Sequence, residues 1–258
     1  MKNIISFISI FFFMETITQK PENIYDDNIT EQYYKTVGEN AGSGEHKTEA
    51  DKYFESLIPQ NFDNQVVLDH GCGNGRYGEL FCQRGAKRVL GIDLSPSMIR
   101  EATKRNKEQQ LQQLEFVLGD INNLSVGKNK FDLVFSRFSL IYSPNISKVM
   151  KEIGESLKEG GEVLIETNVA SIKNNKDEIQ KNAIPLILRL GESEVPIKNF
   201  AITIDDYLSA FKEAGLKIQI EREYPASEIT IDDSYKHKRL VDFKVFVFKL
   251  VKEKEDRK

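Results

Sequence analysis

The sequence predicts a doubly wound α/β fold built on a mostly parallel sheet. Short apolar runs typical of buried strands alternate with amphipathic segments typical of helices, which is the pattern of a parallel sheet with helices on both faces. A glycine-rich turn follows the first predicted strand, and an acidic residue follows each of the next two. The 258 residues suffice for one such domain with a small cap.

Local sequence signals predict where the helices and strands begin and end along the chain. Apolar residues recur at the spacing of one helix face over 50–58, and Pro59 ends that helix. Ser95 with Pro96 starts a helix over 95–110, and the pair Thr203 and Asp206 forms a capping box for a helix that ends at Gly215. Further helices are predicted at 75–84 and 145–158. The predicted strands are 66–69, 88–92, 115–118, 131–135, 162–167, 216–223 and 243–251.

Two segments interrupt the alternation. Residues 168–203 are long for a plain connection and combine prolines with an apolar patch, so we expect a lid-like insertion. Residues 1–29 are expected to be a leader or extension outside the domain, which then spans 30–258. An apolar run follows Lys2. We interpret Met14 as the start of translation and residues 1–13 as an upstream extension, with an export or membrane signal as the alternative.

Composition excludes several classes of function. The net charge of −4 argues against a protein that grips a phosphate backbone, so no nucleic acid partner is expected. The two cysteines and three histidines show no ligand spacing, and no metal site is expected. Free cysteines suit the reducing cytoplasm, although one disulfide between Cys72 and Cys82 stays open. Beyond residue 13 the sequence contains no transmembrane stretch, so no stable membrane association is expected.

The chemistry-bearing residues cluster at the predicted strand ends. The first strand ends at Asp69 and runs into Gly71, Gly73 and Gly75, and a turn without side chains lets ligand atoms approach the backbone. Asp93 follows the second strand in GIDLS, and Asp120 follows the third in GDI. Ligands of open α/β sheets bind at this edge, where a carboxylate can accept hydrogen bonds from ribose hydroxyls.

These motifs resemble those of a known enzyme family. The segments VLDHGCGNG, GIDLS, GDINNL, FDLVFSRFSLIY and LKEGGEVLIE occur in the order and spacing of class I S-adenosylmethionine-dependent methyltransferases. FAITIDDYLSAFKEAGLKI is similar to a late helix and strand of the small-molecule branch called methyltransferase type 11. The resemblance covers roughly residues 30–250. It implies a seven-stranded Rossmann-like sheet with an antiparallel C-terminal strand, S-adenosyl-L-methionine as cofactor, and methyl transfer to an unidentified small-molecule acceptor.

The resemblance also assigns roles to residues. Asp69 and the glycine turn would surround the methionine part of the cofactor, and Asp93 would hold the ribose. Asp120 would bind the adenine amino group, while Ser136 would lie near the transferred methyl. The implied cofactor-binding set is Asp69, Gly71, Cys72, Gly73, Gly75, Asp93, Leu94, Met98, Asp120, Ile121 and Ser136. His70 stands where the family often has an apolar residue, and we expect it to be a satisfied supporting group.

The acceptor side is less specific in sequence. The segment after the fourth strand lacks the Asp/Asn-Pro-Pro-Tyr motif that resembles enzymes methylating the amino groups of bases or glutamine. No catalytic residue is assigned, because a sulfonium leaving group needs mainly alignment and desolvation. Candidates on the acceptor side, each with ordinary packing or exposure as the alternative, are Tyr33, Tyr34, Arg137, Tyr142 and Asn199.

Two alternative functions remain. Gly73, Gly75 and Gly78 also satisfy the GxGxxG fingerprint of dinucleotide binding. In that fold the turn binds a pyrophosphate, which Asp69 would repel, whereas a cofactor with an ammonium and a sulfonium tolerates it. The second alternative is a regulatory subunit that binds S-adenosylmethionine without chemistry. The intact glycine turn and the three acids favour an active enzyme.

Overall fold

The structure is a computed structural model that describes residues 47–124, 126–174, 176–180, 183–190, 193–226, 229–231 and 240–253. The strands of its central sheet are β1 (Val66–His70), β2 (Arg88–Asp93), β3 (Leu114–Leu118), β4 (Phe131–Arg137), β5 (Leu157–Ile172), β8 (Leu216–Pro225) and β10 (Val241–Lys252). A second sheet consists of β6 (Ile184–Leu190), β7 (Ser193–Asn199) and β9 (Ile229–Ile231).

The central sheet has the order β3-β2-β1-β4-β5-β10-β8. The strands β1 to β5 pair in parallel, and β10 pairs antiparallel with both β5 and β8. The chain winds outward from β1 in one direction and from β4 in the other, so a crevice forms where the two halves meet. The predicted doubly wound fold with an antiparallel C-terminal strand is confirmed.

The described helices are α1 (Glu49–Ser56), α2 (Arg76–Gln83), α3 (Pro96–Gln109), α4 (Ile146–Ser156), α5 (Lys176–Gln180) and α6 (Ile204–Glu213). Their start signals act as predicted. Ser95 Oγ accepts a hydrogen bond from Met98 N at 3.3 Å, and Thr203 N donates to Asp206 Oδ2 at 2.8 Å. The five helices that were predicted differ from their expected ends by about two residues at most, which is the usual uncertainty of a helix end.

Each face of the central sheet has its own core. On one face, α1 and α2 pack aromatic rings on β4, because Phe54 and Phe81 each lie 5.1 Å from Phe135 between ring centroids. On the opposite face, α4 and α6 bury a second cluster that includes Met150 and Tyr207. Burial on both faces explains why the central strands read as continuous apolar runs in the sequence.

The predicted lid-like insertion contains β6 and β7, two of the three strands of the second sheet, whose strands are antiparallel in the order β7-β6-β9. β5 continues to Ile172, past its predicted end at residue 167, so the insertion begins later than expected. The hairpin of β6 and β7 pairs Ile184 with Asn199. The third strand comes from a later part of the chain, where Ile231 pairs with Leu186. Sequence analysis missed β9, since three residues are too few to show a periodicity.

The predicted leader, including the interpretation of Met14, lies outside the described residues, and so do Tyr33 and Tyr34. Within the described ranges, no helix is long and apolar enough to cross a membrane. No group of three or more His, Cys, Asp and Glu side chains in these ranges is arranged to hold a metal ion. Both cysteines, Cys72 and Cys82, are buried free thiols.

A buried hydrogen bond joins α6 to β5, and its loss is measurable. The Tyr207 hydroxyl lies 2.8 Å from Thr167 Oγ1, and both side chains are fully buried. Tyr207→Phe leaves the Thr167 hydroxyl without this partner, so we expect a loss of about 1–3 kcal/mol in the free energy of unfolding by urea. The double variant Thr167→Val/Tyr207→Phe should recover most of that loss. A double variant that is less stable than Tyr207→Phe would contradict this assignment.

Candidate functional site

A cavity of about 640 Å³ opens at the carboxyl ends of the central strands. Its wall contains the glycine turn after β1, the start of α3 after β2, and the loops that follow β3 and β4. Ala183 and Phe200, which flank the β6–β7 hairpin, complete the wall. The cavity therefore lies at the crevice where open α/β sheets bind their ligands.

The glycine turn is fastened to the end of β2. The N–H groups of Gly71 and Cys72 donate to Ile92 O at 2.8 and 3.0 Å, and Gly73 N donates to Asp93 Oδ2 at 2.9 Å. Gly73 lines the cavity with φ of 51°, and a Cβ there would meet no atom within 4 Å. A side chain at this position would require a left-handed backbone and would project into the cavity.

Gly75, which was predicted to lie in the cofactor site, has a packing role in the structure. It precedes α2 with φ of 81° and does not line the cavity. A Cβ at Gly75 would lie 2.3 Å from Phe116 Cζ and 2.9 Å from Ala102 Cβ. The missing side chain therefore lets α2 pack closely against β3 and α3, which is what brings the turn to its position.

Asp69 is a buried carboxylate with an unsatisfied oxygen. It lines the cavity and is 2% exposed. The Gly78 N–H donates to this carboxylate, but Asp69 Oδ2 has no hydrogen-bond partner in the described part of the chain. Burial and the negative charge of Asp93 raise the pKa of Asp69 to about 8. A cationic group in the cavity would lower this pKa and satisfy the oxygen.

Asp93 connects the glycine turn to α3. Its Oδ2 accepts from Gly73 N and its Oδ1 from Ser95 N, both at 2.9 Å. Burial raises the pKa of Asp93, while these N–H donors oppose the rise. Asp93 also lines the cavity, where its remaining lone pairs can accept hydrogen bonds from the hydroxyls of a ligand.

The loop after β3 contributes a polar wall. Asp120 Oδ1 accepts from Asn122 N at 2.8 Å, and Asp120 Oδ2 accepts from Asn123 Nδ2 at 2.7 Å. Lys148 of α4 donates to Asn122 O at 2.9 Å and also bonds Asn123 Oδ1. All four side chains line the cavity, so α4 fixes the position of this loop.

Apolar side chains flank the loop, as expected from the sequence. Leu94, Met98 and Ile121 all line the cavity, and Met98 and Ile121 are almost completely buried. Cys72 lines the cavity as well, and burial, with the nearby Asp69 and Asp93 charges, raises the pKa of its thiol well above the ordinary value. Cys72 is thus a neutral thiol that behaves as a small apolar group.

Ser136 does not line the cavity, although it was predicted to lie near the transferred methyl group. Side chains alternate along a strand, and its neighbours Phe135 and Arg137 in β4 line the cavity. Ser136 is completely buried, with Oγ 2.7 Å from Ser139 Oγ. Ser139, the hydrogen-bond partner of Ser136, lines the cavity.

His70 is a supporting group, in agreement with the expectation. Its Nδ1 lies 3.1 Å from Ser139 Oγ and its Nε2 lies 3.4 Å from Ile121 O. The Ser139 hydroxyl also donates to His70 O at 2.8 Å. Burial lowers the pKa of His70 to about 4, so the ring is neutral at neutral pH and joins the β1 end to the loops after β3 and β4.

Arg137 lines the cavity, but protein groups occupy its guanidinium. Nε donates to Glu166 Oε2 at 2.6 Å, Nη1 donates to Tyr77 OH at 3.1 Å, and Nη2 pairs with Asp51. Burial alone would lower the pKa of Arg137, yet Tyr77, Glu166 and Asp51 raise it well above its ordinary value. Arg137 thus ties α1, α2 and β5 together beside the cavity.

Aromatic rings line the part of the cavity beyond β4. We call the set Phe135, Phe138, Tyr142 and Phe200 the aromatic chamber. Phe138 has φ of 50°, a left-handed conformation that is costly for a bulky residue. Its N–H donates to Glu166 O at 2.7 Å. Sequence analysis singled out Tyr142 alone, since phenylalanines in apolar segments are indistinguishable from core residues.

Asn199 does not line the cavity, although the next residue, Phe200, does. Asn199 is completely buried, and its amide atoms have no hydrogen-bond partner in the described ranges. The role of Asn199 on the acceptor side stays a prediction. The end of β7 places Phe200 at the wall instead, where Phe200 N donates to Ile141 O at 2.8 Å.

A sequence profile described as "Methyltransferase domain" matches residues 61–215, which is more than half of the chain. The match includes the glycine turn and all three acids at the strand ends. The chain belongs to the class I S-adenosylmethionine-dependent methyltransferase family. The resemblance found in the motifs is confirmed, and S-adenosylmethionine is the cofactor of this family.

Individual relatives match the methyltransferase over shorter regions. Malonyl-[acyl-carrier protein] O-methyltransferase of Hamiltonella defensa is 34% identical over 33% of this chain and 30% of its own length. Sterol 24-C-methyltransferase erg6 of Aspergillus fumigatus is 29% identical over 60% of this chain and 41% of its own length. The chain spans less than half the length of these curated relatives.

A solved structure shows the same fold. Geranyl diphosphate C-methyltransferase from Streptomyces coelicolor A3(2) was solved with Mg²⁺, geranyl diphosphate and S-adenosyl-L-homocysteine. Its TM-score to this methyltransferase is 0.57, with 14% identity over 78% of this chain and 77% of that chain. At this level of identity the likeness concerns the fold.

The buried charge of Asp69 has a testable cost for the ligand-free methyltransferase. Its pKa of about 8 in the folded protein exceeds the ordinary value of 3.8. The folded state therefore binds its proton more tightly than the unfolded state. Stability from this group is complete below the ordinary pKa and is lost as the pH rises through about 8. Asp69→Asn keeps the shape and removes the charge.

We expect Asp69→Asn to be more stable than the wild type without ligand. The advantage should grow from about pH 5 to about pH 8 by up to about 1.4 kcal/mol per pH unit. Urea unfolding at several pH values measures it. An advantage independent of pH would show that Asp69 is ionised throughout in the folded protein.

Proposed function

We propose that this methyltransferase is an active enzyme that transfers the methyl group of S-adenosylmethionine to a small acceptor with an apolar body. One observation carries the proposal. A single cavity joins the buried carboxylate Asp69 and the half-buried carboxylate Asp93 to the aromatic chamber. The carboxylates suit a cationic nucleoside cofactor, and the chamber suits an apolar acceptor.

The electrostatics of the cavity support the placement of the methionine part of the cofactor beside Asp69. An ammonium group and a sulfonium centre would satisfy the unpartnered Asp69 Oδ2 and favour its ionised form. A dinucleotide would bring a pyrophosphate to the same turn, where its negative charge would oppose ionisation of Asp69 and leave Asp69 Oδ2 without a cationic partner. Gly73 leaves room for such a ligand, because a side chain there would enter the cavity.

The remaining residues support the nucleoside end. Asp93 lies at the end of β2, where it can accept hydrogen bonds from ribose hydroxyls. Leu94, Met98 and Ile121 provide apolar surfaces for an adenine ring. Asp120, on the same wall, is the acceptor that we assign to the adenine amino group.

The chain itself contributes alignment and desolvation to the reaction. When bound, the cofactor supplies a methyl group on a sulfonium sulfur. The sulfur would leave as a neutral thioether, which is a good leaving group. Walls formed by Phe135, Phe138 and Phe200 exclude water from the transfer, and fixed walls hold the reactants in line, which lowers the barrier mainly by orientation. A general base is required only if the acceptor loses a proton as it attacks.

The acceptor side favours an apolar, uncharged body. Aromatic rings dominate the chamber, and the charge of Arg137 is compensated by Glu166 and Asp51. One of the matched relatives is named for a molecule with an apolar skeleton, a sterol. The net charge of −4 makes nucleic acid an unfavourable acceptor. We further propose a cytoplasmic location, which the two free buried thiols support.

Cofactor binding should release a proton from Asp69. Near neutral pH this side chain is mostly protonated, since its pKa is about 8, and a bound cation favours the charged form. Calorimetric titration of S-adenosylmethionine in buffers of different ionisation enthalpy should show release of up to about one proton at pH 7. Asp69→Asn is the matched control and should show none. Equal proton release by both proteins would remove Asp69 from the cofactor site.

The activity itself is tested by product formation. Purified protein with S-adenosylmethionine should form S-adenosylhomocysteine with one or more apolar small molecules bearing a hydroxyl, amine or carboxyl group. Phe200→Ala should raise the KM for that acceptor by about tenfold, the value of one large apolar contact, and leave cofactor affinity unchanged. Tight cofactor binding without turnover for any acceptor would support the regulatory-subunit alternative.

A further inference from the structure

Phe138 combines an unusual backbone conformation with a place in the cavity wall. Its φ of 50° lies in the left-handed region, which is unfavourable for a bulky apolar residue. In the described part of the chain, the other non-glycine residues with positive φ are Asn64, Asn129 and Gln110. Asparagine tolerates this conformation, and Gln110 caps the end of α3, where left-handed residues are common. Neither reason applies to Phe138, which directly follows β4.

The neighbours of Phe138 hold its backbone in place from both sides. Phe138 N donates to Glu166 O at 2.7 Å, and Arg137 Nε donates to Glu166 Oε2 at 2.6 Å. On the other side, Ser139 packs so closely on the glycine turn that a Cβ at Gly71 would lie 2.2 Å from Ser139 Cβ. The left-handed residue therefore turns the chain from β4 onto the glycine turn, and the surrounding structure maintains its strained conformation.

The path of the chain does not explain why residue 138 is a phenylalanine. A glycine would follow the same path at lower conformational cost, because it adopts a positive φ without a steric penalty. Strained residues concentrate at ligand sites, where the strain has a function. The side chain of Phe138 is half-buried and lines the cavity, so we look for its function in the cavity.

Phe138 and Phe200 lack the ring contacts that the neighbouring core aromatics make. Phe135, on the same wall, has three aromatic partners at centroid distances of 4.6 to 5.1 Å. Among the described residues, no aromatic ring packs against Phe138 or Phe200. Both side chains are half-buried and line the cavity. Their ring surfaces are therefore available to a ligand in the cavity.

We propose that Phe138 determines the choice of acceptor, and that it selects a planar aromatic ring. This inference rests on the proposed function and narrows its apolar acceptor to one chemical class. Aromatic rings attract one another in stacked or edge-to-face pairs by more than their buried area accounts for. An aromatic acceptor would gain such a pair with Phe138, whereas a saturated ring of similar size would not.

The surroundings of Phe138 suit this role because they restrict its ring. The Arg137 guanidinium lies 5.5 Å from the centroid of the Phe138 ring, and it is itself held by Glu166 and Asp51. A ring that is fixed before the acceptor binds loses little conformational entropy on binding. The strained backbone and the paired arginine thus prepare one wall for a flat ligand.

The test uses two probes that differ in aromaticity, β-naphthol and its saturated counterpart decahydro-β-naphthol. Each is titrated calorimetrically into the full chain saturated with S-adenosylhomocysteine. The wild type should bind β-naphthol about three- to tenfold more tightly, as the interaction of one aromatic pair implies. Phe138→Leu keeps an apolar side chain and removes the ring, so it should lose most of this preference. Phe138→Gly, which suits the backbone, should show the same loss and replaces Phe138→Leu if that variant does not fold.

Tyr224→Leu is the matched control for the removal of one aromatic ring. Tyr224 is a half-buried residue of β8 whose ring centroid lies 6.2 Å from that of Tyr53. It does not line the cavity, so this variant should keep the wild-type preference for β-naphthol.

The outcomes separate this inference from the proposed function. A folded Phe138 variant with the wild-type preference would overturn the inference alone. So would a wild type that binds S-adenosylhomocysteine and does not prefer β-naphthol. A folded wild type that does not bind S-adenosylhomocysteine would overturn the proposed function and this inference with it.

Discussion

The main constraint on this structure is the proximity of a buried carboxylate, Asp69, to the half-buried carboxylate of Asp93. Asp69 lies near the end of β1, and Asp93 is the last residue of the neighbouring strand β2. The charge of Asp93 contributes to the raised pKa of Asp69. Asp93 is stabilised because the glycine turn and the start of α3 each bring an N–H to it. These two hydrogen bonds hold the glycine turn, which leads into α2, and the start of α3 in position. Both segments form part of the cavity wall.

The fold and most of the cofactor side were predictable because their signals are local. A cap such as Ser95 or Thr203 acts within one helical turn, and an acid after a strand marks the sheet edge wherever the strand lies. Two residues predicted on this side, Ser136 and Gly75, do not line the cavity, for physical reasons. Ser136 follows Phe135 in β4, and the alternation of side chains turns it away from the cavity. Gly75 serves the contact with Phe116, which depends on tertiary packing.

The acceptor side depends on contacts between distant parts of the chain, which the sequence does not display. Phe138 lines the cavity with a left-handed backbone conformation, which a phenylalanine does not favour. Phe200 arrives through the β6–β7 hairpin, whose third strand, β9, is supplied by residues 229–231. In the sequence, an apolar residue that lines a chamber cannot be distinguished from one that packs in a core. The prediction therefore named the polar Asn199 and not its neighbour Phe200, which lines the cavity.

The two arginines beside the cavity, Arg137 and Arg76, differ in whether their buried N–H groups have hydrogen-bond partners in the protein. Arg137 is surrounded by carboxylates and a tyrosine, and its removal would leave Glu166 and Asp51 buried with uncompensated charge. Arg76 leaves a buried N–H unsatisfied, as Asp69 leaves an oxygen, and both defects destabilise the ligand-free protein. A ligand that satisfies either group recovers this free energy only in the folded state, so its binding and the stability of the fold are thermodynamically linked.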